Sequence, residues 1–568
     1  MKILALVKQI PDVNRIELDK TTMRIRREGV PLIANPFDLR AVEQALILKE
    51  KYGAEVVAAS MGPPSARAVL ENALKMGCDE AYLITDRAYA GSDTLITSKV
   101  LSAFARKLNA ELILAGRYSL DGETGQVPAE IAALLGWSYI SSISNLHLDG
   151  EIAAVEQDHE AGSVSFEVPL PAVFSVSEKI NRPRPPSLNV DTSKIVEVGE
   201  CWIMSGVSGS DSPTVVEGIT QLESRRNVKF LEPSIDTYRF ILTLLHGEIK
   251  KEPFSLANTE FRGEIWGIAV GSREVAEEIS SKIGELANAF HLRAVMAGNI
   301  EPERLKSIHC NEFILLETSE TDAFAAELIS LIKERRPDYV IFPSNTEGRE
   351  ISGAVAASLS LGLTADCVDV DIEDGKLVQY KPAFGGGMVA RIISKTRPQM
   401  ATARPGMFKS RPGYEIGMIQ RRKVPPARIR RVSFTPVPSE FRPLQHASTV
   451  IGVGRGVRKK EELQPIIELA GILGAAVGGT RPIVDYGFLP RQQQIGLTGS
   501  AISPQLYIAL GISGQDNHVV GIRYARTVLA VNTKKDAPIF KYSDYGVVMD
   551  LFEFVNGLKE AALQLRAS

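Results

Sequence analysis

The stretch PQLYIALGISGQDNHVV, residues 504–520, decides how the chain is read. Leu506-Tyr507-Ile508-Ala509-Leu510 is an apolar run bounded by turn residues, the pattern of a strand buried on both faces. Gly511-Ile512-Ser513-Gly514 ends it, and His518-Val519-Val520 opens a helical pattern. A strand, a glycine turn and a helix start make a place for phosphate, because free N–H groups and the helix dipole both favour an anion. Ser513 and His518 flank that place. A lone glycine turn is a weak signal. Here, however, a row of short β runs broken by Gly, Ser or Thr extends from 474 to 546.

Working outward, 568 residues give a prior of two to four domains, each long enough to bury its own core. A net charge of −3 with interspersed acids and bases argues against a nucleic-acid binder. Cys78, Cys201, Cys310 and Cys367 are far apart with no CxxC, which disfavours an iron–sulfur or zinc site and suits a reducing compartment. The N-terminal MKILALVKQIPD reads as a first strand and not as a signal peptide. No apolar run approaches the roughly 20 residues of a membrane span. The expectation is a soluble cytoplasmic protein with no metal site.

From the N-terminus, strands at 2–7, 55–60, 81–84 and 111–115 alternate with helices at 39–52, 65–76 and 93–107. Strands and helices of these lengths in alternation mean a parallel, doubly wound α/β sheet. Ligands bind at the C-terminal ends of such strands. Lys8 and Asp12, Met61-Gly62 and Arg117–Gln126 occupy those positions. A second α/β unit follows from about Asp236, with strands at 265–270, 313–316 and 339–342. AELILAGRYSLDGETGQVPAEIAALLGW (110–137) lies over PDYVIFPSNTEGREISGAVAASLSLGL (337–363) with one gap, and LPAVFSVSEKINRPRPP (170–186) echoes RPQMATARPGMFKSRPG (397–413). The simplest account is internal repetition. SGVSGSDSPT (205–214) reads as a linker and RRKVPPARIRR (421–431) as a solvated, proline-stiffened connector. The expected division is a nucleotide-binding domain at 1–200, a linker at 201–235, a second α/β domain at 236–430 and a ligand-binding domain at 431–568.

Further motifs lie along the chain in one order: GAAVGGTR (474–481), VDYGF (484–488), QIGLTG (494–499), PQLYIALGISG (504–514) and APIFKYSDYG (537–546). With GLTADC (362–367), PAFGGG (382–387) and RPQMATARPGMF (397–408), residues 236–568 resemble the α subunit of electron-transfer flavoproteins. LVKQIPD, NPFDLRAVEQAL, SMGPP and DGETGQVPAEIAALLGW make residues 1 to about 200 resemble the β subunit. The resemblance thus implies β and α subunits fused in one chain. It also implies an α/β fold of two related doubly wound parallel-sheet domains facing each other, plus a C-terminal Rossmann-like flavin-binding domain.

The resemblance implies bound FAD, whose potential and placement the protein sets. Thr480 and Arg481 match the turn whose arginine lies over the flavin ring, where a cation favours the reduced, anionic form. Thr498, before Gly499, matches the hydroxyl near flavin N5, and Gln494 an upstream glutamine; Leu497 replaces a second glutamine of many members. Ser513 and Gly514 match the pyrophosphate turn, and His518 a histidine near flavin O2. Asn532 and Asp544 match positions around the adenosine end. Gly454, Arg455 and Gly456 match the first glycine turn.

The N-terminal repeat should hold another nucleotide, with Lys8, Asp12, Gly62, Asp121, Thr124, Gln126 and Val127 as its candidates. In most members of the family it is a structural AMP, in the electron-bifurcating branch a second FAD. The loop Asp121–Pro128 resembles the short DG-[DE]-T-x-QV form of the bifurcating branch, which leaves room for a flavin. The implied partners are acyl-CoA or other flavin dehydrogenases and a quinone-reducing flavoprotein oxidoreductase, with NADH and ferredoxin or flavodoxin if bifurcation operates. No GxGxxG followed by an acid supplies an NAD fingerprint. Contact with a membrane would be peripheral, through the acceptor. Two other readings remain open: a single-FAD carrier with structural AMP serving acyl-CoA dehydrogenases, and a non-redox adenosine-nucleotide module. A swing of the flavin domain on the 421–435 connector is also expected.

Overall fold

In the computed structural model, strand Leu506–Leu510 is buried along its whole length, as its unbroken apolar run requires. It lies in a six-stranded, all-parallel sheet. The order is Lys229–Phe230, Tyr545–Val548, Thr527–Asn532, Leu506–Leu510, Thr449–Val453 and Ala476–Gly479. The structure describes every residue except 13–16, 20–23, 27–29, 188–190, 192, 204–205, 222–225, 246–255, 257–259, 384–387, 437–440, 446, 497–498 and 568.

The N-terminal sheet has ten strands. Seven are parallel, in the order Ile195–Val198, Glu80–Ile84, Glu55–Met61, Lys2–Leu6, Leu112–Gly116, Ala172–Val176 and Ser138–Asp149. An antiparallel meander, Ser138–Asp149, Ile152–His159 and Gly162–Pro169, extends it. The middle sheet of seven parallel strands runs Leu363–Cys367, Gln399–Ala403, Tyr339–Pro343, Glu264–Ala269, Arg293–Gly298, Glu312–Leu316 and Ile419–Arg422. It carries its own meander, Asp369–Glu373, Lys376–Ala383 and Met388–Ser394. Helices Val127–Leu135 and Thr346–Leu359 occupy matching places after Leu112–Gly116 and Tyr339–Pro343, and they pack on each other. A Cβ on Gly353 would stand 2.7 Å from the Ala129 Cβ, so glycine permits the close crossing.

Each meander is completed by a strand from outside its own half. Thr214–Gln221, which follows the N-terminal sheet in the chain, pairs antiparallel with Met388–Ser394 of the middle meander. Arg430–Pro436, which follows the middle sheet, pairs antiparallel with Gly162–Pro169 of the N-terminal meander. The two halves therefore exchange strands.

This packing corrects three sequence expectations. SGVSGSDSPT is not a loose linker: Gly209–Asp211 forms a capped 3₁₀ turn with Gly209 and Ser212 buried, and Thr214 opens the exchanged strand. The 421–431 charge run is largely exposed, as expected, but it is not a mere connector: strands Ile419–Arg422 and Arg430–Pro436 take up its two ends. Its arginines flank edge strands and are paired: Arg421 with Glu301 at 2.9 Å, Arg422 with Glu334 at 3.5 Å, and Arg430 with Glu167. Nor does the chain enter the middle domain at 236. Helix Ile235–Leu245 sits on the C-terminal sheet, where Ile241 and Leu242 join the core around Phe554 and Leu558. Tyr238 lies over Gly557, whose added Cβ would come within 2.4 Å of the tyrosine ring. Among the described residues, no helix is long and apolar enough to cross a membrane.

Candidate functional site

In the C-terminal sheet, Thr449–Val453 comes first in sequence, Ala476–Gly479 lies on one side of it and Leu506–Leu510 on the other. The strand order therefore reverses between Thr449–Val453 and Leu506–Leu510, the place where an open α/β sheet forms a ligand crevice. Both glycine turns leave the sheet there. Gly454 donates its N–H to Leu510 O at 2.9 Å, and Gly456 donates to Gly511 O at 3.1 Å. Any side chain on Gly454 would sit 2.4 Å from that Gly511 oxygen. Gly511 itself has φ +60°, in the left-handed region that favours glycine.

The structure brings most of the C-terminal candidates to this one edge. Gly454, Arg455 and Gly456 form the first turn, with Arg455 exposed. Ser513 is exposed on the second turn. Gly514, at φ +88°, leaves room for Ile539 N, which an added Cβ would approach to 2.2 Å. Asn532 donates to Ile512 O at 3.0 Å and so braces the second turn. Thr480 donates its N–H to Val453 O at 3.0 Å, and Arg481 follows it, exposed and 3.3 Å from Asp485.

Three expectations on this domain change. His518 does not present a donor to the crevice. Its ring is buried, with Nδ1 3.2 Å from Ile495 O and Nε2 2.9 Å from the Tyr507 hydroxyl. A carbonyl only accepts, so Nδ1 carries the proton and Nε2 accepts from Tyr507. Burial holds the ring's pKa down at about 4, so it is neutral at neutral pH. Asp544 is taken up by the fold: it accepts from Val528 N at 2.8 Å and pairs with Arg226 from the segment preceding the sheet. Gln494 is buried and accepts from Arg491. Thr498 and Leu497 lie outside the described residues.

A cleft of about 270 Å³ lies between the C-terminal domain and both halves of the body. Gly499 lines it, together with Arg117, Arg349, Arg404, Arg491, Asp366 and Glu178. Asp366 lies 3.2 Å from Arg404 and 3.3 Å from Arg349. Burial would raise its pKa, but the two guanidiniums win and hold the carboxyl well below the usual carboxylate range. Glu160, His159 and Glu347 line the rim or adjoin it, with ligand-type atoms within 4.8 Å of one another. His159 Nε2 donates to Glu347 at 3.0 Å, and although burial opposes it, Glu347 and Glu160 hold the ring's pKa up at about 9, so an imidazolium stands here that offers hydrogen bonds and not a lone pair.

The second cavity, about 1020 Å³, opens at the C-terminal ends of the N-terminal sheet, where the order reverses between Lys2–Leu6 and Leu112–Gly116. Lys8, Gly62, Thr124, Gln126 and Val127 are among its lining residues. Asp121 holds the Lys8 ammonium at 2.8 Å. Asp12 is not among the lining residues; its N–H donates to Pro31 O at 2.8 Å. Gln126 is 1% exposed, its Oε1 accepts from Thr94 at 3.2 Å, and its Nε2 has no partner among the described residues. A buried amide left unpaired is costly, which suits a ligand acceptor in the cavity. Gln126 also precedes helix Val127–Leu135 without a side-chain cap, and Val127 and Pro128 of the first turn line the same cavity.

Sequence reasoning missed the residues that close this cavity. Asp38 receives Lys8 N at 2.8 Å, Asn35 Nδ2 at 2.9 Å and Gly116 N at 3.1 Å; burial nevertheless pushes its pKa up to about 7. Behind the wall and not lining it, Glu130 accepts from Thr94 at 3.0 Å and Ser98 at 2.8 Å and is pushed up to about 8 by burial. Lys381 reaches in from the middle meander, buried, with Nζ 2.9 Å from Ala365 O. It directly precedes the PAFGGG motif, which marks the family but does not tell where its neighbours point. Tyr118 and Gly125 line both cavities, so one loop is the wall between them.

Comparison with known proteins agrees with this layout. The sequence pattern of the electron transfer flavoprotein domain matches residues 22–200 and again 312–431, and that of the electron transfer flavoprotein FAD-binding domain matches 443–523. The chain belongs to the electron transfer flavoprotein family. It is 42% identical over 188 residues to the electron transfer flavoprotein subunit beta of Thermoanaerobacterium thermosaccharolyticum, covering 33% of this chain and 72% of that one. It is 37% identical over 260 residues to the alpha subunit from the same organism, covering 44% and 79%. Protein FixB of Clostridium saccharobutylicum is 32% identical over 303 residues, covering 51% of this chain and 90% of its own. One chain thus holds a beta-like N-terminal part and an alpha-like C-terminal part.

Proposed function

We infer that this chain is a FAD-dependent electron carrier with two nucleotide sites. The first is the crevice between the two touching glycine turns, Gly454–Gly456 and Gly511–Gly514; this contact at the strand-order reversal is the observation that carries the reading. The flavin supplies one- and two-electron chemistry when bound. The protein's part is to hold it: the turns admit a close-lying pyrophosphate, the Ser513 hydroxyl is free to donate, and Arg481 supplies a mobile cation at the same sheet edge. In this view residues 229–245 and 443–568 form the flavin-binding unit, and the two matched repeats form a body whose halves face each other across Val127–Leu135 and Thr346–Leu359.

The second site is the N-terminal cavity. Its size supports FAD over AMP: about 1020 Å³ is at the top of the roughly 300–1000 Å³ that small-molecule sites span. Its walls are largely apolar, with Met61, Tyr89, Leu101 and Val127, as a flavin ring wants. Two flavins favour a carrier that takes electrons from flavin dehydrogenases or NADH. It would pass them to a quinone-reducing oxidoreductase and, by bifurcation, to ferredoxin or flavodoxin. Acid release of ligands from the purified protein tests this directly. Two FAD and no AMP per chain are expected. One FAD and one AMP would leave a single-flavin carrier with a structural nucleotide.

A further inference from the structure

The N-terminal cavity is not walled by the N-terminal half alone. Leu363, Thr364, Ala365, Lys381 and Ile392 of the middle half line it too. Lys381 is 6% exposed. Of its three N–H donors one goes to Ala365 O at 2.9 Å, the single hydrogen bond of that ammonium among the described residues. The two carboxylates whose charge reaches it, Asp366 and Glu123, also serve other cations. Asp366 lies against Arg404 and 3.3 Å from Arg349, and Glu123 lies 3.9 Å from Arg404. Burial pulls the ammonium's pKa down, and the two acids pull it back up. Thr364 precedes Ala365 in the chain and is 3% exposed, and its buried hydroxyl has no partner among the described residues. On the N-terminal half's side of the cavity, the Tyr89 hydroxyl and Gln126 Nε2 are in the same condition. Buried polar atoms without partners are rare, and three of them in the walls of one cavity point to an occupant that supplies acceptors.

We propose that the middle half completes this site and selects its occupant: Lys381, with Thr364 one residue from its carbonyl partner, contacts a ring edge bearing carbonyl oxygens, as a flavin has and adenine has not. The inference rests on the flavin reading of the second site given above. Lys381 Nζ and Gln126 Nε2 can only donate. Carbonyl oxygens accept from both, whereas the amino group of an adenine would set donor against donor. Leu363 and Ile392 offer the ring apolar surface in the same wall. A site whose buried donors find acceptors in one ligand and not in another discriminates strongly between the two.

The test is a titration of the full chain, freed of bound nucleotide by dialysis, with FAD and separately with AMP by calorimetry. In the parent, FAD should fill two sites. Lys381→Met keeps the apolar stem and removes the ammonium. It should weaken FAD at the N-terminal site about tenfold and AMP less than about threefold. The C-terminal site contains none of these residues and is the internal reference: its FAD affinity should stay within about twofold. Lys381→Gln, a neutral donor, should lie between the parent and Lys381→Met. Thr364→Val should lose FAD selectively by a smaller factor, and it serves where the lysine variants fold poorly. Equal losses for FAD and AMP, or no loss, overturn the inference with the flavin reading intact. A parent that takes FAD at one site and only AMP at the other overturns both, and the FAD count alone shows it.

Discussion

Tyr507 and His518 fix each other's protonation, and that gives the C-terminal domain a pH dependence. The His518 ring has a folded pKa of about 4 against about 6.5 when free. The unfolded chain therefore binds the proton first. Stability from this group is complete above about pH 6.5 and is lost as pH falls towards 4. The difference corresponds to about 3 kcal/mol, an order-of-magnitude figure. Urea unfolding of the C-terminal domain should show that slope, and His518→Leu should abolish it. The same change strands the buried Tyr507 hydroxyl, which costs roughly 1–3 kcal/mol at pH 7, and Tyr507→Phe added to it should recover part of that. Arg481 is the opposite case. Its exposed pair with Asp485 is worth little, so Arg481→Ala should change stability by less than about 0.5 kcal/mol. In redox titration of the holoprotein it should lower the potential of the C-terminal flavin; a potential that stays put removes Arg481 from the ring's surroundings.

Strand and helix positions were largely legible, because burial on both faces writes itself as unbroken apolar runs. Strand Glu55–Met61 and helix Thr94–Leu108 fall within a residue of the expected 55–60 and 93–107. The meanders were not legible. Ile152–His159 and Gly162–Pro169 carry buried positions interleaved with partly or fully exposed ones and polar residues on both faces, and their partners are set by topology. The exchanged strands were harder still: Arg430–Pro436 is exposed at every residue, so composition alone made it a connector. In the site, glycine turns could be read because glycine has one reason to be there. The inward turn of His518 could not, since a buried and a ligand-facing histidine look alike in sequence. At the helix crossing, Gly353→Leu should force apart Val127–Leu135 and Thr346–Leu359. Overpacking of this kind costs about 1–3 kcal/mol, and a lowered melting temperature of the two repeats is the readout. An unchanged melt would mean the crossing is looser than the 2.7 Å approach implies.

At the scale of the whole molecule, strand exchange makes the covalent joint between the halves dispensable. A chain cut between 222 and 225, produced as two pieces, should copurify as a one-to-one complex, because each piece carries the edge strand of the other's meander. Separation on a sizing column at moderate salt would count against this. The joint does something else. Gln221 ends a strand of the middle meander, while Arg226 already grips Asp544 of the C-terminal domain. The chain leaves that domain again after Leu245, crosses to the middle sheet at Glu264, and comes back beyond Pro436. The C-terminal domain is thus leashed three times, and the shortest leash is the four residues 222–225. At about 3.5 Å per residue, that leash spans less than about 20 Å. A swing of the domain, if the reading above holds, would have to turn about this corner: the edge at Arg226 would stay close to the body while the far side travelled.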